Sequence, residues 1–226
     1  MEPVIKSDRS DHLFKRLPRH IGVIPDGNRR WAVQKGLKKE QGYTHGIEPG
    51  FQLYQDCLQL GIEEMTFYGF TQDNTKRPAV QRIAFQQACV DAVMKLTSMD
   101  ASLLVVGNTD SPLFPRDLRV TFGRGRMKVN FLVNYGWQWD LSKAIPLFSN
   151  QTLPAACFSE KIASADISRI DLIIRWGGRR RLSGFLPVQT IYADFYVLDD
   201  LWPDYRIEQL YKALHWYEEQ DITLGG

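Results

Sequence analysis

Cysteine is scarce in this chain. Three occur in 226 residues, Cys57, Cys89 and Cys157, odd in number, far apart and without any Cys-x-x-Cys spacing. That usage excludes a disulfide framework and a thiolate zinc site, and it leads us to expect reduced thiols in a cytoplasmic protein. Histidine is also sparse, and the isolated His20 and His45 are assigned no chemical role. Excess charge is missing too. A net charge of +2 is too small to make nucleic acid or an anionic membrane surface the main partner, and the arginines lack the interleaved exposed aromatics of a nucleic-acid face. No apolar run is long enough to cross a bilayer, and the opening Met1–Asp8 has no signal-peptide core, so a soluble protein is expected.

What is present suits one domain over 1–226, with residues 1–18 expected as a flexible N-terminal segment. Short runs rich in β-branched or aromatic residues occur at Gly22–Ile24, Met65–Phe70, Leu103–Val106, Val129–Val133, Leu172–Ile174 and Phe195–Leu198. Helical stretches are expected near Trp31–Gln34, Ile47–Leu60, Val80–Thr97, Trp139–Phe148, Gly184–Ala193 and Ile207–Glu219. This alternation predicts an α/β fold with a central, mainly parallel β-sheet flanked by helices. The residues just after the strands are nearly all polar or glycine, and ligands of such sheets bind at the carboxyl ends of the strands. The stretch Val80–Leu96 is apolar around most of its circumference, which predicts a helix buried in the core or against a hydrophobic ligand.

The densest chemistry lies in Ile21-Gly-Val-Ile-Pro-Asp-Gly-Asn-Arg-Arg-Trp-Ala32, where a buried strand runs into a turn carrying a carboxylate, an amide and two guanidiniums. Free N–H groups after Gly27, the Arg29 and Arg30 side chains, and a divalent cation on Asp26 would together suit phosphate oxygens. Three further strings belong beside it: Phe67-Tyr-Gly-Phe-Thr-Gln-Asp-Asn-Thr-Lys-Arg-Pro78, Asp171-Leu-Ile-Ile-Arg-Trp-Gly-Gly-Arg-Arg-Arg-Leu-Ser-Gly-Phe185, and Tyr192-Ala-Asp-Phe-Tyr through Leu201-Trp-Pro-Asp-Tyr205.

These four ordered motifs resemble those of the cis-prenyltransferases, the family of undecaprenyl diphosphate synthases, over almost the whole chain from His20 onward. The resemblance implies magnesium-dependent transfer between small-molecule allylic diphosphates by a homodimer. It assigns catalysis to Asp26, Asn74 and Arg77, with Asn74 or the diphosphate itself assisting final proton loss. The first diphosphate would meet Gly27, Asn28, Arg29, Arg30 and Trp31, with Lys39, Tyr43, Phe70, Thr71 and Thr75 also binding substrate. The second would be held by Arg175, Arg181 and Ser183, with Arg179, a departure from the pattern, expected to bind substrate by replacing charge lost at the C-terminus. Metal ligands would be Asp26 and Asp194. Taken singly, each has an ordinary alternative: Arg179 to Arg181 as a solvated charge run, Asp194 as a salt-bridge carboxylate, Asn74 as a turn residue before Pro78. The three arginines opened by Gly177-Gly178 favour phosphate binding, because flexible N–H groups and guanidiniums come together there.

Several positions depart from the family pattern. Arg179 replaces a glutamate, Asp194 a longer glutamate, Thr75 a tryptophan and Tyr43 a histidine, while Thr223-Leu-Gly-Gly226 lacks the usual arginine. The stretches from Pro78 to Gly107 and from Gly107 to Asn134 are short, leaving little room for a growing polymer. The expected activity is therefore one irregular head-to-middle coupling of two dimethylallyl diphosphates, followed by cyclisation to a cyclolavandulyl-type diphosphate. Its rivals are an isosesquilavandulyl-type coupling of geranyl and dimethylallyl diphosphates, and regular short-chain elongation with isopentenyl diphosphate. A non-catalytic partner subunit is the alternative from another class; Asp26 and the retained arginines argue against it.

Overall fold

The structure, a computed structural model, describes residues 14–116, 118, 121–122, 125–149 and 154–221. Its strands are β1 (His20–Ile24), β2 (Glu64–Tyr68), β3 (Ala101–Val106), β4 (Thr121–Phe122), β5 (Met127–Leu132), β6 (Leu172–Arg175) and β7 (Asp194–Val197). They form one sheet in the order β4-β3-β5-β2-β1-β6-β7. Every pairing is parallel except β3 with the short edge strand β4. The helices are α1 (Asn28–Gln34), α2 (Gln41–His45), α3 (Ile47–Leu60), α4 (Ala79–Leu96), α5 (Trp137–Ser142), α6 (Ile145–Ser149) and α7 (Ile207–Glu218). Among the described residues no helix is long and apolar enough to cross a membrane.

Alternation along the strands sorts side chains onto two faces. Ile21, Val23, Leu172 and Ile174 join the larger core with Phe51, Tyr54, Val93 and Leu214, while Ile24 and Ile173 join a smaller one with Tyr135, Phe185 and Leu186. The α3 sequence repeats apolar residues at Phe51, Tyr54 and Leu58 spacing, buries Phe51, Leu53, Tyr54, Cys57 and Leu60, and stops at Gly61 with φ 81°. Glycine adopts that left-handed backbone without a Cβ clash.

Four expectations need correction. Gly184–Ala193 is a series of turns, not a helix, because Ser183, Gly184 and Leu186 all have positive φ and Pro187 follows directly. Trp139–Phe148 is divided between α5 and α6. Helix α4 is not covered all round: Val80, Ile83 and Met94 are exposed. The N-terminal segment is packed from Phe14 onward, since Phe14 is buried and lies edge-on to Tyr211, and Arg16 donates to the carbonyl oxygens of Tyr217 and Gln220 at the end of α7. Residues 1–13 and the string Thr223–Gly226 lie outside the described residues.

At the amino edge of the sheet His20 is buried. Its Nδ1 faces the carbonyl oxygens of Ser168 and Arg169 at 3.1 and 3.2 Å, so Nδ1 donates. Nε2 therefore accepts from Thr66 Oγ1 at 2.8 Å, and Asn130 Nδ2 donates to Thr66 Oγ1 and to Glu64 Oε1. That chain suits a neutral ring; a protonated one would donate from Nε2 to Thr66 Oγ1 instead. Burial lowers the His20 pKa, opposed by the nearby Glu64 and Asp171 carboxylates. The unfolded chain thus gains a proton that the folded one resists, and stability falls as pH drops below about 6.5, the unperturbed histidine value. Urea midpoints should decrease from pH 7.5 to 5.5, with a smaller decrease in His20→Gln; equal slopes would remove His20 from the pH response.

Candidate active site

β1 ends at Ile24, paired with Arg175 at the end of β6, so the turns after both strands leave the sheet side by side. Asp26 N–H donates to Ile24 O at 2.9 Å, closing the first turn. Gly27 then takes φ 116°, and a Cβ there would stand 2.9 Å from the Leu201 side chain, so both backbone and space call for glycine. Asn28 starts α1 and ties back through Nδ2 to Pro25 O, while its buried Oδ1 has no partner.

Arg175 is only 4% exposed. A buried guanidinium needs a counter-charge and acceptors. Nη2 donates to Asp26 Oδ2 at 2.9 Å, and Nη1 donates to Ser183 Oγ at 3.0 Å and to Arg181 O. The buried Nε has no partner. On the other side of the carboxylate, Arg30 Nη2 lies 3.4 Å from Asp26 Oδ1 and donates to Gly177 O at 2.8 Å. Asp26 is thus held between two guanidiniums, with its side chain 34% exposed. The segment after β7 closes this edge: Gly177 N–H donates to Asp200 O, Gly178 N–H to Leu198 O, and Trp202 N–H to Asp26 O.

A second cluster adjoins it. Arg77 Nη1 donates to Tyr43 OH at 2.8 Å, and the Tyr43 ring stacks on Phe85 with centroids 4.5 Å apart and planes at 4°. Burial lowers the Arg77 pKa and raises that of Tyr43, consistent with a charge at the lip of an apolar space. That space is a cleft between the sheet, α3 and α4, lined by Tyr43, Phe51, Phe67, Phe85, Ala88, Cys89, Ala92, Leu96, Phe131 and Trp202, with Pro25 and Asn28 at the Asp26 end. Burial pushes the Cys89 thiol up to about 12, which leaves it an inert wall. The cleft leaves about 60 Å³ free, room for roughly four to six water-sized groups.

Asp26, Arg30, Arg175 and Ser183 therefore converge in one network, and Asn28, Tyr43 and Arg77 join it at the cleft. Asn74 Nδ2 donates to Thr71 Oγ1 at 2.6 Å, Thr75 Oγ1 to Gln72 O, and Phe70 lies edge-on to Phe85, all in the turn after β2. Trp31 Nε1 donates to Asp204 Oδ1, and Arg29 Nη1 to Gln81 Oε1. Lys39, Arg179 and Arg181 are exposed.

Asp194 does not join them. It opens β7 opposite Leu172, whereas Asp26 follows the residue paired with Arg175. Leu172 and Arg175 differ by three positions, so the two carboxylates are separated by roughly 10 Å along the strands and roughly 10 Å across them. They cannot share one ion within a chain. Asp26 by itself fits a magnesium ion, which commonly takes one or two carboxylates and completes its shell with substrate phosphates and water. Among the described residues no group of three or more metal-ligating side chains occurs.

Tyr68 and Trp202 were not singled out as site residues by the sequence. Tyr68 OH donates to Ser183 O at 2.7 Å, and Trp202 Nε1 donates to Gly46 O at 2.8 Å. The spacing Tyr43, Gly46, Gly50, which puts small residues on one face beside an aromatic one, was the available signal for the cleft wall.

Residues 24–225 match the prenyltransferase family model of undecaprenyl diphosphate synthases. The chain is 31% identical to an isoprenyl transferase of Chlorobaculum tepidum over 92% of its own length and 86% of that protein's. It is 30% identical to the (2E,6E)-farnesyl-diphosphate-specific ditrans,polycis-undecaprenyl-diphosphate synthase of Yersinia pseudotuberculosis, over 100% of this chain and 96% of the relative. Lavandulyl diphosphate synthase from Lavandula x intermedia, solved with dimethylallyl diphosphate, shares the fold with a TM-score of 0.79 and 23% identity, over 92% of this chain and 98% of that one.

The buried ion pair generates a direct prediction. Arg175→Ala should lower stability by about 2 kcal/mol, the scale of lost charge-assisted hydrogen bonds, read as a reduced urea midpoint. An unchanged midpoint would show that the pair contributes nothing to the fold.

Proposed function

This chain belongs to the undecaprenyl diphosphate synthase family and is a prenyltransferase, and from that premise we propose that it couples two dimethylallyl diphosphates head-to-middle, with ring closure to a cyclolavandulyl-type diphosphate. The observation that carries this reading is the size of the tail cleft. About 60 Å³ of free space matches a five-carbon tail better than a long polymer, since a water-sized group takes roughly 10–15 Å³ on this scale. The fold shared with a lavandulyl diphosphate synthase is compatible with irregular coupling.

The donor diphosphate would lie against Arg30 and the N–H groups after Gly27, with Asp26 holding magnesium beside it. Magnesium, when bound, supplies charge stabilisation to the departing diphosphate. Arg30, Arg29 and Arg77 add guanidinium charge on the same side, which lowers the barrier because negative charge grows on the leaving group. The tail enters the cleft between Phe67, Phe85 and Trp202, whose walls exclude water from the allylic cation, and their ring faces favour positive charge. The acceptor diphosphate would rest on the loop of Arg179, Arg181 and Ser183, placing its double bond toward the ionising carbon. Asn74, fixed by Thr71, is available to assist proton loss. The reading includes a homodimer, for which the exposed Trp137, Ile145, Leu147, Ile191 and Tyr192 offer apolar surface.

The relatives in Chlorobaculum and Yersinia favour a second reading, regular elongation with isopentenyl diphosphate. Mass-resolved product analysis separates the two. With magnesium and dimethylallyl diphosphate alone, a branched or cyclic ten-carbon diphosphate is expected. Product formed only when isopentenyl diphosphate is added would replace irregular coupling with regular elongation.

A further inference from the structure

We propose that Gly50 sets which donor tail the cleft admits, because the space left by its missing side chain is the seat of the branched end of that tail. This rests on the reading above that the cleft takes the hydrocarbon. Glycine inside a helix weakens it, since its backbone loses more freedom on folding than that of any other residue. A buried glycine is ordinarily explained by left-handed backbone or by a neighbour too close for a Cβ. Neither applies at Gly50. It lies in the first turns of α3 without a positive φ, and the nearest contacts of a Cβ there would be Trp202 Cζ2 at 3.8 Å and the Phe67 ring at 3.9 and 4.0 Å. Those are ordinary van der Waals distances. Every other described glycine either has a positive φ or would place a Cβ within 2.7 Å of a neighbouring atom.

Trp202, Phe67 and Gly50 all line the cleft, so a side chain at position 50 would grow into its free space. The two rings are not free to make way. Trp202 is buried and its Nε1 donates to Gly46 O at 2.8 Å, while Phe67 is buried and stacks on Phe131 with centroids 5.1 Å apart. Gly46 marks the head of the cleft, because a Cβ there would collide with Asn28 Oδ1, two residues after Asp26. Gly50 stands about one helical turn further on, roughly 6 Å along α3, the depth that the dimethyl end of one five-carbon unit reaches from a diphosphate beside Asp26. Leucine at position 50 would add four carbons, roughly 40–60 Å³ at 10–15 Å³ each, against the free space of about 60 Å³. The helix therefore gives up stability at this position in exchange for room in the cleft.

Calorimetric titration of the full chain with dimethylallyl and allyl thiolodiphosphate in magnesium tests the proposal, since the two unreactive probes share a head and differ by two methyl groups. Each buried methyl is worth roughly fourfold in affinity, so wild type should prefer the dimethylallyl probe by roughly tenfold or more. Gly50→Ala should reduce that preference and Gly50→Leu should remove it. The ratio cancels any change in binding of the head, which a merely structural disturbance would cause. The urea midpoint of Gly50→Ala should equal or exceed that of wild type, because alanine suits a helix interior better than glycine. The full preference retained in both variants would overturn the role of Gly50 and leave the cleft as the tail site. A lower midpoint in Gly50→Ala with an unchanged preference would do the same, by making the glycine a packing requirement. No preference in wild type would instead remove the tail from the cleft, and with it the reading on which this proposal rests.

Discussion

The ion pair between Asp26 and Arg175 is the interaction on which the rest of this site depends. Two residues 149 positions apart meet because β1 and β6 are parallel neighbours in register, Ile24 beside Arg175. The buried guanidinium demands a counter-charge, and the turn after β1 supplies one in Asp26. Having fixed the carboxylate with one nitrogen, Arg175 fixes Ser183 and the Arg181 carbonyl with the other. One side chain therefore positions both the turn that would carry the metal and the loop that would carry the second anion. Arg30 completes the frame by spanning from Asp26 to Gly177 O.

The apolar half of the site follows from the same sheet edge. The cleft begins at Pro25 and Asn28, directly beside the charged frame, and runs between α3 and α4 toward Leu96 and Phe131. Tyr43 and Arg77 mark the boundary, since one hydrogen bond joins a ring stacked in the cleft to a guanidinium facing the anion side. A molecule with a diphosphate head and a short hydrocarbon tail matches that division of charge and apolar surface. Burial along the cleft strengthens the electrostatic interactions at its mouth, which is what ionisation of an allylic diphosphate requires.

Much of this was legible in the chain. The strand–turn string ending in Asp26-Gly-Asn-Arg-Arg30 lies at the carboxyl edge because parallel strands with polar exits leave no other place for it. Arg175 likewise ends a short buried strand, and Ser183 follows it. Asp194 was grouped with Asp26 by the family pattern, which carries no strand direction; β7 starts with Asp194 at the opposite end of the strands and delivers only its last residues beside Asp26. The turns of Gly184–Ala193 were read as helix because their composition permits one; the positive φ at Leu186 just before Pro187 is set by packing around Phe185, not by local propensity. Helix α2 has only five residues, too few to show a period. The α3 side of the cleft escaped notice because its small residues are visible as a wall only once the helix is folded against α4.

The most direct measurement is a crystal structure of this chain with magnesium and unreactive dimethylallyl thiolodiphosphate. The expected result places the diphosphate between Asp26 and Arg30, with the tail between Tyr43, Phe67 and Phe85. A tail outside that cleft, with the diphosphate away from Asp26, would contradict the assignment of this sheet edge as the reacting site.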